Sequence, residues 1–280
     1  MKLIVQADDY AISDAVAEGI LKCARDGILT QTGLMSNGEH AAYYARRMLK
    51  ENPHVSLGQE INLVNGRPLC PSQTIPTLVN EEGRLLRSGE HRMLDQKDPA
   101  HVCYEDAYHE IKAQIDCFLE IVGQKPCFIG LHSYQNNTML QALSDLKREY
   151  AIDGLEELAE AYAIDFPKMG PWYPFVSGVE HAESYEYQLS FDAVEMFLNG
   201  ACDYISGHAK EDRICMLHTH AGFVDKKLLD MSTLTMTRLI ELELLCSDEM
   251  KEWVRQNQVE LTNMRNLKEK MRETIHDDLL

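Results

Sequence analysis

The feature that most limits the fold of this chain is a rhythm: short apolar runs alternate with helical periods from one end to the other. Leu3 to Ala7 reads as a buried strand. Ser13 is placed to cap a helix and Asp14 favours its positive end, while Val16, Ile20, Cys23 and Ala24 recur on one face before Gly27 stops it. Thr30 to Met35 reads as a second strand, and Ala41, Tyr44, Ala45 and Met48 mark a second helix. Val55, Leu57, Ile61 and Leu63 alternate along a third strand, with Glu60 and Asn62 on its other face. A helical stripe from Ile111 to Val122, a strand at Cys127–His132 and helices at Leu140–Tyr150 and Leu155–Tyr162 follow. A strand at Ala163–Phe166, a helix begun by Phe191–Phe197, a strand at Ile214–His220, a long helix at Thr237–Val254 and a short strand at Val259–Leu261 complete the reading. One polar segment with several prolines, from about Val64 to Ala100, breaks the rhythm and is expected to be a functional loop or a lid.

Strand-helix alternation of this kind implies a parallel sheet with helical crossovers. The 280 residues show no composition shift that would mark a linker and no repeat of fixed period, so one domain spanning 1–280 is expected. The architecture expected is α/β: a single barrel of seven or eight strands, closed or incomplete, with an open doubly wound sheet as the alternative. Glycine-rich dinucleotide and phosphate-loop signatures are absent from the sequence, so a Rossmann cofactor site has no support.

Charge narrows the partners. Lys and Arg number 27 against 45 Asp and Glu, a formal charge of −18. Nucleic acid and anionic membranes reward clustered cations, so neither is expected as a partner; a neutral or cationic small molecule, or a bound metal, suits the balance better. No run approaches the roughly 18 apolar residues of a membrane helix, and Asp8 and Asp9 come too early for a signal peptide. The eight cysteines are scattered without a Cys-x-x-Cys pair, as expected for reduced thiols in a cytoplasmic protein. An acidic surface does not preclude a homodimer.

In α/β folds the chemistry gathers at the carboxyl ends of strands. Those ends carry Asp8-Asp9, Glu60 with Asn62, His132, and His218-Thr219-His220. Each has a structural explanation of its own: paired Asp caps a helix or builds a turn, Glu60 meets a salt-bridge partner, and His132 is hydrogen bonded. Their joint occurrence on separate strands carries more weight. Two carboxylates and a histidine can converge on one divalent cation, while Asp8 and His220 handle protons. Spacing alone leads to a metal-dependent hydrolase or isomerase.

The wording of these segments is more specific. Gln6-Ala7-Asp8-Asp9-Tyr10, then Gly27-Ile28-Leu29-Thr30-Gln31-Thr32-Gly33, resembles the opening of the YdjC-like carbohydrate deacetylases. Gly58-Gln59-Glu60-Ile61-Asn62-Leu63 with Gly66-Arg67-Pro68 is similar to that family's Gly-x-His-x-Asn-Leu and Gly-Arg-Pro segments. Ile129-Gly130-Leu131-His132-Ser133-Tyr134 stands where the family has a His-rich strand end, His220-Ala221-Gly222-Phe223 resembles its His-Pro-Gly-Tyr motif, and Arg238-x-x-Glu241-Leu242 fits its pattern. The resemblance implies a deviant (β/α) barrel of about seven strands that removes an N-acetyl group from an amino sugar or oligosaccharide. By motif position it implies a metal held by Asp9, Glu60 and His132.

This sequence departs from the family where Glu60 replaces a histidine, and where Gly130 and Tyr134 replace an Asp and a second His. A carboxylate for an imidazole makes the site harder, which favours Mg²⁺ or Mn²⁺ over Zn²⁺. In the mechanism this implies, Asp8 is the general base and His220, with an ordinary pKa near ~6.5, the general acid. His218 supports the site or is structural. Arg67 and Asn62 hold substrate, and Trp172, within Gly170–Phe175, offers a ring face to sugar. The alternatives are a metal-dependent hydrolase of another amide or ester, and a sugar-binding barrel that has lost catalysis.

Overall fold

The computed structural model of the chain describes residues 1–165, 184–198, 205 and 209–277. From the N-terminus come β1 (Lys2–Tyr10), α1 (Asp14–Asp26), β2 (Gln31–Leu34), α2 (Ala41–Glu51) and β3 (Ser56–Ile61). Then follow a 3₁₀ turn (Ser72–Thr74), α3 (Ser88–Asp95), α4 (Tyr104–Val122), β4 (Ile129–Leu131), α5 (Asn137–Tyr150), α6 (Leu155–Ala161) and β5 (Ile164–Asp165). The remainder holds α7 (Tyr185–Gln188), α8 (Ala193–Leu198), β6 (Ile214–Thr219), α9 (Lys226–Met231), α10 (Thr237–Cys246), α11 (Asp248–Gln256), β7 (Glu260–Thr262) and α12 (Met264–Asp277).

These seven strands are parallel and run in the order β4-β3-β2-β1-β6-β5, with β7 paired to Lys2–Ile4 of β1. The order decides between the two expected architectures. A doubly wound sheet reverses at its first strand, and later strands then run outward in rising order. Here β6 lies against β1 and β5 lies outside it, so the chain keeps winding one way round, as a barrel does. Among the described residues β4 and β5 do not pair, so the sheet curls without a continuous ladder closing it. The fold is the deviant α/β barrel of seven parallel strands that was expected.

Both faces of a parallel sheet are covered, so its strands are apolar on both sides. Leu3, Val5 and Ala7 of β1 point outward into one core with Val16 and Ile20 of α1 and with Leu244 and Leu245 of α10. Ile4 points inward, where Phe128, Met216 and Met264 fill the base of the curl. Gly58 is required there: a Cβ on it would stand 2.3 Å from the Phe128 ring. With its base packed, the curl gathers its described polar strand ends at the opposite, carboxyl side.

One expectation changes. The long helix expected over Thr237–Val254 breaks at Ser247, whose hydroxyl accepts from the Met250 N–H at 3.1 Å and caps α11 as a separate helix. The polar segment from Val64 to Ala100, expected as a functional loop or a lid, is pinned to the helix that follows it. Val64, Ile75, Leu78 and Leu85 are buried in one cluster with Ile111 and Ile115 of α4. The same helix presents Asp106, Glu110 and Gln114 at i, i+4 and i+8. Asp106 accepts from the Thr77 N–H at 2.8 Å, Glu110 from the Cys70 N–H at 2.9 Å, and Gln114 from the Asn62 N–H at 2.9 Å. No described helix is long and apolar enough to cross a membrane, and none of the described cysteines forms a disulfide.

Candidate active site

A defect in the first ladder assembles the site. Gln6 pairs with Gln31 and Ala7 with Thr32, but pairing resumes with Tyr10 opposite Leu34, so three steps along β1 match two along β2. The extra residue is a β-bulge in which Asp9 adopts a φ of 68°, a left-handed conformation that Asp tolerates better than most residues. In a regular strand Asp8 and Asp9 would face opposite sides; the bulge turns both carboxylates toward the mouth of the curl. The freed Asp9 N–H donates to Glu60 Oε2 at 2.7 Å, locking the bulge to β3. Gly33 makes the approach possible, since a Cβ there would lie 3.2 Å from both Glu60 Cβ and Oε2.

Asp9, Glu60 and His132 form a sealed cluster. His132 Nδ1 lies 2.8 Å from Asp9 Oδ1 and 2.9 Å from Glu60 Oε1, and all three side chains are buried. Asn65, oriented so that its amide is satisfied throughout, accepts from His132 Nε2 at 3.2 Å and donates to the Val64 and Met231 carbonyls. With the Nε2 proton committed to Asn65, the Nδ1 lone pair points at two carboxylate oxygens. Three electron-rich atoms facing one another need a positive charge among them. A proton meets that need on His132: burial opposes it, but the charge of Asp9 and the bonds to Asp9 and Glu60 win and lift this imidazole to about 10. Burial, then the charges of Asp8 and Asp9, push Glu60 up to about 8. Asp9 Oδ1, buried, has no hydrogen-bond partner among the described residues besides the His132 Nδ1 that faces it at 2.8 Å. One oxygen from each carboxylate and one imidazole nitrogen, within 4.8 Å of one another, form a donor set that fits a divalent cation.

Asp8, His218 and His220 form a second cluster of the same residue types, nearer the rim. Asp8 Oδ2 lies 2.5 Å from His218 Nε2, and its other oxygen accepts from Gln6 Nε2 at 2.6 Å. His218 in β6 and His220 just past its end, two residues apart, stack with ring centroids 5.6 Å apart. Partial loss of water opposes the charge on both rings, with opposite outcomes. For His218 the charge of Asp8 overrides that loss and raises it to about 9. For His220 the loss dominates, and its pKa drops to about 4. The two stacked rings are thus shifted in opposite directions, His218 upward and His220 downward.

Two buried charges behind these clusters did not enter the reading of the site from strand ends. Arg238 and Glu241, three apart on α10, are 1 % and 2 % exposed. The Arg238 guanidinium ion-pairs with Asp9 Oδ2, and Glu241 accepts from the His220 N–H at 2.7 Å. Burial raises the Glu241 carboxyl to about 7. A sequence signal exists, because both charges interrupt the apolar face made by Ile240, Leu242, Leu244 and Leu245. Only the fold identifies their partners.

A cavity of about 700 Å³ adjoins the sealed cluster at Asn65 and is lined by Asn62, Arg67, Arg84, Lys226 and Lys227, among others. Asn62 is largely committed to structure: its Oδ1 accepts from the Val64 and Asn65 N–H groups at 3.1 and 3.0 Å, the turn that delivers Asn65. Arg67 stands exposed at the cavity wall. Lys226 and Lys227 pair with Asp230 and Glu39, whereas neither Arg67 nor Arg84 ion-pairs with a described residue. Trp172 lies outside the described residues.

This chain is similar over nearly its whole length to known proteins. Residues 2–256 match the family model described as YdjC-like protein. A carbohydrate deacetylase of Clostridium beijerinckii is 29% identical, covering 95% of this chain and 100% of its own length. Carbohydrate deacetylase 2 of Listeria innocua is also 29% identical, over 96% of this chain and 100% of its own. Among solved structures, one from Enterococcus faecalis V583, provisionally named for cellobiose-phosphate cleavage, superposes with a TM-score of 0.68 at 23% identity. That match covers 95% of this chain and 98% of the other, and it shows the shared fold.

Proposed function

The chain belongs to the YdjC-like family, and from that premise we propose that it is a metal-dependent carbohydrate deacetylase hydrolysing the N-acetyl group of an amino sugar. The observation that carries the reading is the pairing of a sealed cluster fit for a cation with a proton-trading pair beside it. Asp9, Glu60 and His132 would hold the ion, and this hard donor set favours Mg²⁺ or Mn²⁺ over Zn²⁺. When bound, the ion supplies Lewis acidity and a more acidic water.

The chain's own residues do the rest. Asp8 is kept ionised: burial opposes its charge, but His218 outweighs burial and lowers its pKa. It takes the proton of the attacking water, with Gln6 fixing its other oxygen. The His218–His220 pair returns a proton to the departing amine, and His218 holds that proton at rest. The cavity bounded by Asn62 and Arg67 receives the sugar. The two guanidinium groups there, Arg67 and Arg84, favour a sugar that also carries an anionic substituent.

Acetate release from N-acetylglucosamine oligomers, with and without chelator, tests the reading. The expected result is release that stops on chelation and returns with Mn²⁺ or Mg²⁺. Release indifferent to chelation would refute the metal's role, and sugar binding without release would identify a barrel that binds and does not cleave.

A further inference from the structure

Arg238 is among the largest wholly buried side chains described, and its guanidinium is held by three acceptors from three places. Its Nε donates to the Leu234 carbonyl at 2.9 Å, one Nη to the His220 carbonyl at 3.2 Å, and the other Nη to Asp9 Oδ2. Its own carbonyl accepts from the Gly222 N–H at 3.2 Å, which ties the start of α10 to the chain just past β6. The turn before α10 is set in turn by Gln188, whose Oε1 accepts from the Thr235 N–H at 3.0 Å. The guanidinium is thus built into the backbone before it reaches the carboxylate.

We infer that Arg238 is the positioning residue that orients Asp9 for the metal and links that ligand to the strand end bearing His220. The inference rests on the metal reading above. Asp9 sits on a bulge, wholly buried, and its side chain has two oxygens to place. Arg238 takes Oδ2, which leaves Oδ1 directed at Glu60 and His132. A planar fork reaches two carbonyls and a carboxylate in fixed directions, and the single ammonium of a lysine cannot reproduce that. Outer partners of this kind typically change metal affinity by about 10–100-fold when removed. Because the same guanidinium also holds the His220 carbonyl, the cation site and the end of β6 are set by one side chain.

The test uses Mn²⁺ alone on the full-length protein, with binding followed by electron paramagnetic resonance and folding by far-ultraviolet circular dichroism. Arg238→Ala and Arg238→Lys are each expected to bind Mn²⁺ roughly 10–100-fold more weakly than the parent. Free guanidinium, far below denaturing concentrations, should restore binding to Arg238→Ala by occupying the vacated space. A folded variant that binds Mn²⁺ like the parent overturns the inference. So does a folded Arg238→Ala that guanidinium fails to rescue, since the loss then belongs to general disruption. Should Arg238→Ala not fold, Arg238→Lys decides alone: parental affinity overturns the inference and weakened affinity upholds it. A parent chain that binds no Mn²⁺ fails at the earlier step and overturns the metal reading itself.

Discussion

Two clusters of carboxylate and histidine stand side by side at the mouth of the curl, rooted in adjacent residues, Asp8 and Asp9. They differ in what encloses them. The Asp9 cluster is sealed, with Asn65 behind its imidazole and Arg238 behind its aspartate. The Asp8 cluster opens outward, and the His218 side chain is 37 % exposed. Residue type therefore does not set the surroundings of these groups. A sealed cluster of lone pairs is relieved by a lasting positive charge, whereas an open ion pair exchanges protons with water and substrate.

The largest effects should come from breaking the sealed cluster. Asp9→Ala and His132→Ala are expected to abolish stoichiometric Mn²⁺ binding and with it acetate release, a loss beyond the roughly 100-fold ascribed to outer partners. Metal retained by both variants would mean that the ion sits elsewhere.

Next in size is the open cluster. Asp8→Asn should keep its metal yet lower turnover by roughly 10²–10⁴-fold, the usual contribution of a group that moves a proton. His218→Gln should flatten the alkaline limb of the pH profile, because only His218 of the pair has a pKa, about 9, in that range. If His220→Gln flattens it instead, the donor is His220.

A smaller change sharpens the contrast within the sealed cluster. Glu60→His should shift metal preference toward Zn²⁺, since an imidazole is a softer donor than a carboxylate. Competition between Zn²⁺ and Mn²⁺ on the purified variant checks it, and an unchanged preference would remove Glu60 from the ligand set.

Stability offers a finer reading of the open cluster. His218 is raised from the ordinary histidine range to about 9 by Asp8, so its pairing energy is fully present below about pH 6.5 and is lost as pH rises through about 9. The melting temperature of the metal-free protein should fall across that window more steeply in the parent than in His218→Gln. Parallel curves would show that the pair contributes nothing to folding. Smallest of all, Arg84→Ala should raise KM for an anionic acetylated sugar with little change in kcat and no effect on a neutral one.

Much of the site was legible before folding because strand periodicity and strand ends are local properties. Asp8, Asp9, Glu60, His132 and His220 all fall where an apolar run stops, and the structure brings them to one mouth. The bulge was not legible: two adjacent acids look the same whether one faces outward or both face in. Arg238 and Glu241 stand out as charges on an apolar helix and as part of the family resemblance, but with no site role attached. Their partners, Asp9 and the His220 N–H, lie 229 and 21 residues away along the chain. The anchoring of the polar run from Val64 to Ala100 was hidden for a related reason, because its buried residues Ile75, Leu78 and Leu85 are too sparse to show a period.

The sequence by itself determined the alternation of strand and helix, hence a parallel sheet, and which residues stand near the carboxyl ends of strands; the strand order that makes the sheet a barrel came from the structure. Only the tertiary structure divided those residues into one enclosed and one open cluster. A bulge at Asp9, a glycine at position 33 and a guanidinium from α10 enclose one cluster and leave its neighbour at the rim. Periodicity acts over a few residues. Protonation and metal affinity depend on every charge within a few ångströms, and those charges come from all along the chain.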